Sequence, residues 1–141
     1  MKTSARNQLA GKVLEVKKGV VNSEVVMSLA NGEHIVSVVT NEGAESLGIK
    51  CGLDIYAIVK AHSVLLVKSE TTPSISARNK IKGIISEIID GSVNCEVKIT
   101  TNGGVVITAI VTEDAKNELG LTKGDTVFAI IKASSIILGV E

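Results

Sequence analysis

Displaced by 72 positions, the sequence overlays itself. Residues 4–69 align with residues 76–141 without a gap, and 24 of the 66 aligned positions are identical. Ser4-Ala5-Arg6-Asn7 returns as Ser76-Ala77-Arg78-Asn79, Val21-Asn22 as Val93-Asn94, and Lys60-Ala61 as Lys132-Ala133. A fixed-period match with no insertion is the mark of a duplicated structural unit. The chain of 141 residues therefore reads as two domains, 1–69 and 76–141, joined by a linker at 70–75 that holds Thr71, Thr72 and the sole proline, Pro73. A short, polar, proline-marked stretch is linker material. Units of about 66 residues are marginal on their own. The copies are expected to pack on each other or on other chains.

Val and Ile together number 36, and β-branched side chains favour pleated, half-buried surfaces. In the first copy, residues 7–17, 20–29, 33–40, 53–60 and 63–68 read as strands. Gly19 permits a turn after the first, and Asn31-Gly32 marks a hairpin after the second. Residues 41–47 read as a short helix with Thr40 as N-cap and Gly48 at its end. The second copy repeats this order, with a helix over 113–119 between Thr112 and Gly120. The expected fold class is mainly β: two tandem OB-like five-stranded Greek-key barrels, each with one short helix between strands three and four.

Composition removes several function classes. Residues 1–70 carry 8 basic and 7 acidic side chains and residues 71–141 carry 7 and 8, so neither half is a basic arm for phosphate backbones. Tyr56 and Phe128 are the only aromatic residues, too few for stacking single-stranded bases; both read as core. No nucleic-acid partner is expected. No stretch approaches the roughly 20 apolar residues of a membrane span, and the opening MKTSARNQLAG has no apolar signal region, so no membrane and a cytoplasmic location are expected. Catalysis is not expected either. His34 aligns with Val106, His62 with Ser134, Cys51 with Lys123 and Cys95 with Ser23, so no histidine or cysteine is kept in both copies. No zinc-type spacing and no Walker phosphate loop occurs in the sequence. No catalytic residue and no bare metal cation is assigned.

Polar residues kept in both copies are the candidates for a shared task. They are Ser4/Ser76, Arg6/Arg78, Asn7/Asn79, Glu15/Glu87, Asn22/Asn94, Glu24/Glu96, Thr40/Thr112, Lys60/Lys132 and Ser63/Ser135. Taken singly each reads as an exposed barrel-end residue or a cap. As a set they are dominated by hydrogen-bond donors, and Thr40 and Thr112 stand at helix N-termini, which favour anions. That is the composition of an oxyanion pocket. Glu24 reads as a strand-end or interface residue.

SARN followed by glycine (Ser4–Asn7, Gly11), VNSEV (Val21–Val25) and VKAHSVLL (Val59–Leu66) resemble the Mop, or molbindin, family. The second copy carries SARN (Ser76–Asn79), VNCEV (Val93–Val97) and IKASSIIL (Ile131–Leu138). In this order and twice over, the motifs cover the whole chain and resemble the tandem di-Mop members, which are cytoplasmic molybdate-binding proteins. The resemblance implies an OB-like barrel per copy, a homotrimer of two-domain chains, and molybdate or tungstate as bound ligand, with no organic cofactor. It implies interface sites made by Ser4, Arg6, Lys60 and the backbone of Ala61, completed by Thr40 and the backbone of Gly43 from a neighbouring domain. In the second copy the matching residues are Ser76, Arg78, Lys132, Ala133, Thr112 and Ala115. Gly43 and Ala115 stand where some relatives have a hydroxyl residue, which leaves a backbone donor only. Axial sites would draw on Val21, Asn22, Val93 and Asn94. Some family members are appended to DNA-binding or ATPase domains. With neither visible in this chain, the resemblance implies a free-standing protein for molybdenum storage and homeostasis. The alternative is a molybdate-sensing regulatory module that docks onto a partner protein. A pterin ligand is disfavoured by the shortage of aromatic residues.

Overall fold

The computed structural model describes residues 1–141, apart from the side chain of Asn31. Strands form where apolar residues recur at every second position. The first copy contains β1 (Asn7–Lys18), β2 (Asn22–Leu29), β3 (His34–Thr40), α1 (Asn41–Ser46), β4 (Asp54–Val59) and β5 (Leu65–Lys68). The second contains β6 (Asn79–Ile89), β7 (Asn94–Thr101), β8 (Val106–Thr112), α2 (Glu113–Leu119), β9 (Thr126–Ile131) and β10 (Ile137–Gly139). Alternation is plain in β2, which buries Ser23, Val25, Met27 and Leu29, and in β7, which buries Cys95, Val97, Ile99 and Thr101. Both helices are capped as expected. Thr40 accepts the Gly43 N–H and Thr112 the Ala115 N–H, each at 3.0 Å, and Gly48 and Gly120 take φ of 64° and 63° at the far ends. Two strand starts differ from the sequence reading by two residues, and those of β3 and β4 differ by one. β2 begins at Asn22, because a turn closed by the Gly19 N–H to Asn22 C=O bond (2.8 Å) takes up the residues before it. β5 begins at Leu65, because Ala61–Ser63 forms a 3-10 turn. Of the two aromatic residues expected in the core, Phe128 is buried, while Tyr56 is half-buried and donates its hydroxyl to Glu141.

The fold is mainly β, with two OB-like barrels in tandem, but the fifth strand of each barrel comes from the other copy. One sheet runs β10-β4-β1-β2-β3 and the other β5-β9-β6-β7-β8. β10 lies antiparallel to β4, with Ile137 opposite Ile58, and β5 lies antiparallel to β9, with Leu65 opposite Ile130. Each sheet curls until the exchanged strand meets its far edge, β10 touching β3 and β5 touching β8. This covers edges that would otherwise offer unpaired backbone groups. The core is accordingly one continuous cluster, running from Val13 and Met27 in the first copy to Ile99 and Leu138 in the second.

The curl is set by β1 and β6. Each carries a bulge, at Val13/Glu15 and Ile85/Glu87, which bends the strand and sharpens its twist. Just before the bulges, Gly11 and Gly83 let the next strand come close. A Cβ on Gly11 would lie 2.1 Å from the Ser28 carbonyl oxygen, and one on Gly83 would lie 2.5 Å from Ile99 Cγ2.

Asn7 and Asn79 join the barrels. Asn7 is buried at the head of β1, where its Nδ2 donates to the carbonyls of Val59 (3.2 Å) and Thr108 (2.8 Å) and its Oδ1 accepts the Thr108 N–H (2.7 Å). Asn79 does the same at Ile131 (3.1 Å) and at both backbone groups of Val36 (2.8 Å each). Each asparagine thus stitches its own β4 or β9 to the opposite copy's third strand. Asn79→Ala strands the Val36 N–H and C=O and is expected to lower unfolding free energy by about 1–3 kcal/mol, read from urea denaturation. A protease site engineered between Thr72 and Pro73 and then cleaved is expected to leave the two halves co-migrating on size exclusion, since each barrel keeps a strand of the other.

Candidate functional site

Two clefts follow from the exchange. The first, of about 530 Å³, gathers Ser4 and Arg6 ahead of β1, Lys60 and Ala61 after β4, and two apolar walls from the other copy, Ile110 of β8 and Ile137 of β10. The second, of about 830 Å³, repeats it position for position with Ser76, Arg78, Lys132 and Ala133, walled by Val38 of β3 and Leu65 of β5. Four of the residues singled out in each copy therefore share one cleft. Thr112 and Ala115 also border the second cleft, whereas Thr40 and Gly43 do not border the first. The apolar walls escape sequence reasoning, because nothing in a strand's alternation says which copy it will face.

Cross-copy ion pairs hold the arginines. Arg78 grips Glu24 with two bonds, Nη1 to Oε2 at 2.7 Å and Nη2 to Oε1 at 3.2 Å, the bidentate form that fixes a guanidinium plane. Arg6 pairs with Glu96 in the same way across the pseudo-two-fold relation, through one bond. Hydrogen bonds from Arg78 hold the Glu24 carboxyl below the ordinary carboxylate range, and Glu24 in turn raises Arg78. Glu24, read from the sequence as a strand-end or interface residue, thus pairs across the copies, and Glu96 does the same. Lys60 and Lys132 form no ion pair among the described residues, so each cleft holds one neutralised cation and one open one.

The axial candidates themselves line neither cleft. Val21 and Val93 are each 69 % exposed. Their carbonyls accept the Asn41 N–H (2.9 Å) and the Glu113 N–H (2.8 Å). Asn22 lies opposite Thr40 and Asn94 opposite Thr112 in the ladders. Thr40, Gly43 and the Val21-Asn22 turn thus form one corner, with Thr112, Ala115 and Val93-Asn94 as its mate. The cap geometry uses the Gly43 and Ala115 N–H groups on the threonine oxygens, which leaves each hydroxyl proton as the outward donor.

One grouping was not foreseen from spacing. Asp90, Cys95 and Glu113 bring their ligand atoms within 4.8 Å of one another. Lys116 closes the cluster, at 2.5 Å from Asp90 Oδ1 and 2.9 Å from Glu113 Oε1. Those bonds hold the Asp90 carboxyl down and the Lys116 ammonium far up. Burial pushes the Cys95 thiol up, reinforced by the Glu113 charge. A lysine shared by both carboxylates makes this an ion-pair cluster beside a protonated thiol.

The TOBE domain model matches residues 3–66 and 75–138. The chain belongs to the TOBE-domain family. The cytoplasmic molybdate-binding protein ModG, solved with molybdate bound, superposes on this TOBE chain with a TM-score of 0.95 and 45 % identity, covering 100 % of both chains. Molybdenum transport protein ModE of Azotobacter vinelandii is 40 % identical over 140 residues, 99 % of this chain and 52 % of that protein. Molybdenum-pterin-binding protein MopA of Rhodobacter capsulatus is 36 % identical over 138 residues, 98 % of this chain and 52 % of that protein. The chain spans about half the length of these two relatives. None of the three names is that of an enzyme. No described helix is long and apolar enough to cross a membrane.

The two thiols of this TOBE chain differ in kind, since Cys51 is exposed and Cys95 is buried. In native protein a disulfide-exchange reagent is expected to titrate Cys51 alone, and Cys95 only after denaturation; counting thiols before and after guanidinium checks it.

Proposed function

We propose that the chain binds molybdate, and tungstate of nearly the same size, as a non-enzymatic oxyanion protein in the cytoplasm, with 1–69 and 76–141 as two Mop domains joined by 70–75. The observation that carries this reading is the pair of matching clefts, each lined by a serine hydroxyl, an arginine and a lysine with no ion pair among the described residues, all from kept positions. Molybdate is a tetrahedral dianion with acceptors only. Cations offset its charge, and hydroxyl and amide donors replace its water. The likeness to ModG along the whole chain supports the same ligand.

The ligands in this reading are Ser4, Arg6, Lys60 and Ala61 N–H in one cleft and Ser76, Arg78, Lys132 and Ala133 N–H in the other. The clefts of about 530 and 830 Å³ are far larger than one oxyanion, which displaces only a few waters of about 30 Å³ each. A second wall must close them. In a homotrimer a neighbouring chain supplies it, with the Thr40 or Thr112 hydroxyl as the added donor and Gly43 or Ala115 beside it. The exposed Val20-Val21 and Val93 turns, with Asn22 and Asn94, supply axial sites where chains meet. Sites completed between chains link binding to assembly by mass action, which suits storage and homeostasis. A second reading is favoured by the match to about half of ModE: the same pair of domains serves as a molybdate-sensing module that docks onto a partner.

Native mass spectrometry under a molybdate titration, with excess sulfate as control, tests the leading reading. A trimer that takes up several molybdates and ignores sulfate is expected. Arg6→Ala with Arg78→Ala is expected to cut cleft uptake at least about tenfold. Losing exposed ion pairs costs only about 0–1 kcal/mol each, so the fold should survive. Full uptake by that variant refutes the assignment. Molybdate-dependent capture of a partner by a chain that stays monomeric favours the second reading.

A further inference from the structure

His62 has no counterpart in the other copy, where Ser134 takes its place. In the fold it is the polar residue shared by both clefts. It sits in the 3-10 turn Ala61–Ser63, directly after Ala61, and this turn packs on β8. There it borders the first cleft beside Lys60 and reaches the second beside Ser134 and Ile110. Its imidazole is exposed and makes no hydrogen bond or ion pair among the described residues.

We propose that His62 is an anion-binding residue common to both clefts, and that it makes oxyanion affinity rise as pH falls. The inference rests on the oxyanion reading above and adds the residue that tunes it. Histidine is the side chain that changes charge between about pH 5 and 8. On gaining a proton it offers a second N–H donor and a full positive charge to a bound dianion. The surroundings leave that charge to act on the ligand. β8, against which the turn packs, carries no titratable side chain over Val106–Thr112. The other ionisable groups lining the clefts are Arg6 and Lys60 in one and Arg78 and Lys132 in the other, all cations. The nearby carboxylates, Glu96 and Glu24, are engaged on the arginines. No carboxylate on a cleft wall competes with a dianion for the imidazolium.

Calorimetric titration of the full chain with sodium molybdate at about pH 8 and about pH 6 tests this. The native chain should bind about three- to tenfold more tightly at the lower pH. His62→Ser, which installs the residue the second copy carries at this position, should show less than about twofold change between the two. His62→Lys should bind tightly at both. Equal slopes in the native chain and His62→Ser, or no slope in the native chain, overturn the role of His62 while leaving molybdate binding standing. A native chain that takes up no molybdate at either pH overturns the oxyanion reading and this inference together.

Discussion

Main-chain pairing of β4 with β10, and of β5 with β9, is the contact on which the rest of the molecule depends. A copy of about 66 residues holds too little apolar surface to stand comfortably alone. Exchange of the last strand turns two marginal cores into one continuous cluster. It also brings Ile137 of β10 and Leu65 of β5 to the mouths of the two clefts. The buried amides of Asn7 and Asn79 then lock the relation of the barrels through backbone groups of β8 and β3. Site and scaffold are thus the same construction, since the elements that close each barrel also wall its cleft.

The charges around the clefts are arranged on that frame. Each arginine is held by a carboxylate of the opposite copy, Arg78 by Glu24 and Arg6 by Glu96. Glu24 has its folded pKa lowered by Arg78. Its contribution to stability is therefore present above the ordinary carboxyl pKa and is lost as pH falls through the lowered value. The arginines are exposed by more than half, so these pairs contribute orientation more than stability. The two bonds from Glu24 fix the Arg78 guanidinium in one plane, and the lysine beside each arginine forms no ion pair among the described residues.

Much of this is legible in the sequence, and the part that is not has a physical cause. Period-two alternation marks β2 and β7, threonine-to-glycine spacing marks both helices, and the 72-residue repeat picks out Ser4, Arg6 and Lys60 with their partners. Glu24 is legible as an interface residue because a kept carboxylate with no nucleophile near it has little else to do. The exchange is not legible. Leu65–Lys68 has the same alternation whichever barrel it joins, and a six-residue linker permits either path. Asn7 reads as one more donor, since its partners are backbone groups of Thr108 and Val59, which the sequence does not mark. His62 is hidden for the opposite reason, because identity between copies is the wrong criterion for a residue that both clefts share.

The exchanged strands also govern how such a chain is able to change. Leu66 and Leu138 are both buried at 7 % exposure, and each is encoded in one half of the chain while it packs in the barrel of the other. A substitution at either is felt by a core that the same half does not otherwise build. Duplicated domains standing side by side are at liberty to diverge one at a time, each answering only to its own interior. These two answer to each other, so specialising one cleft without disturbing its twin favours positions outside the shared strands that border one cleft alone, and Thr3 and its counterpart Ile75 are such positions.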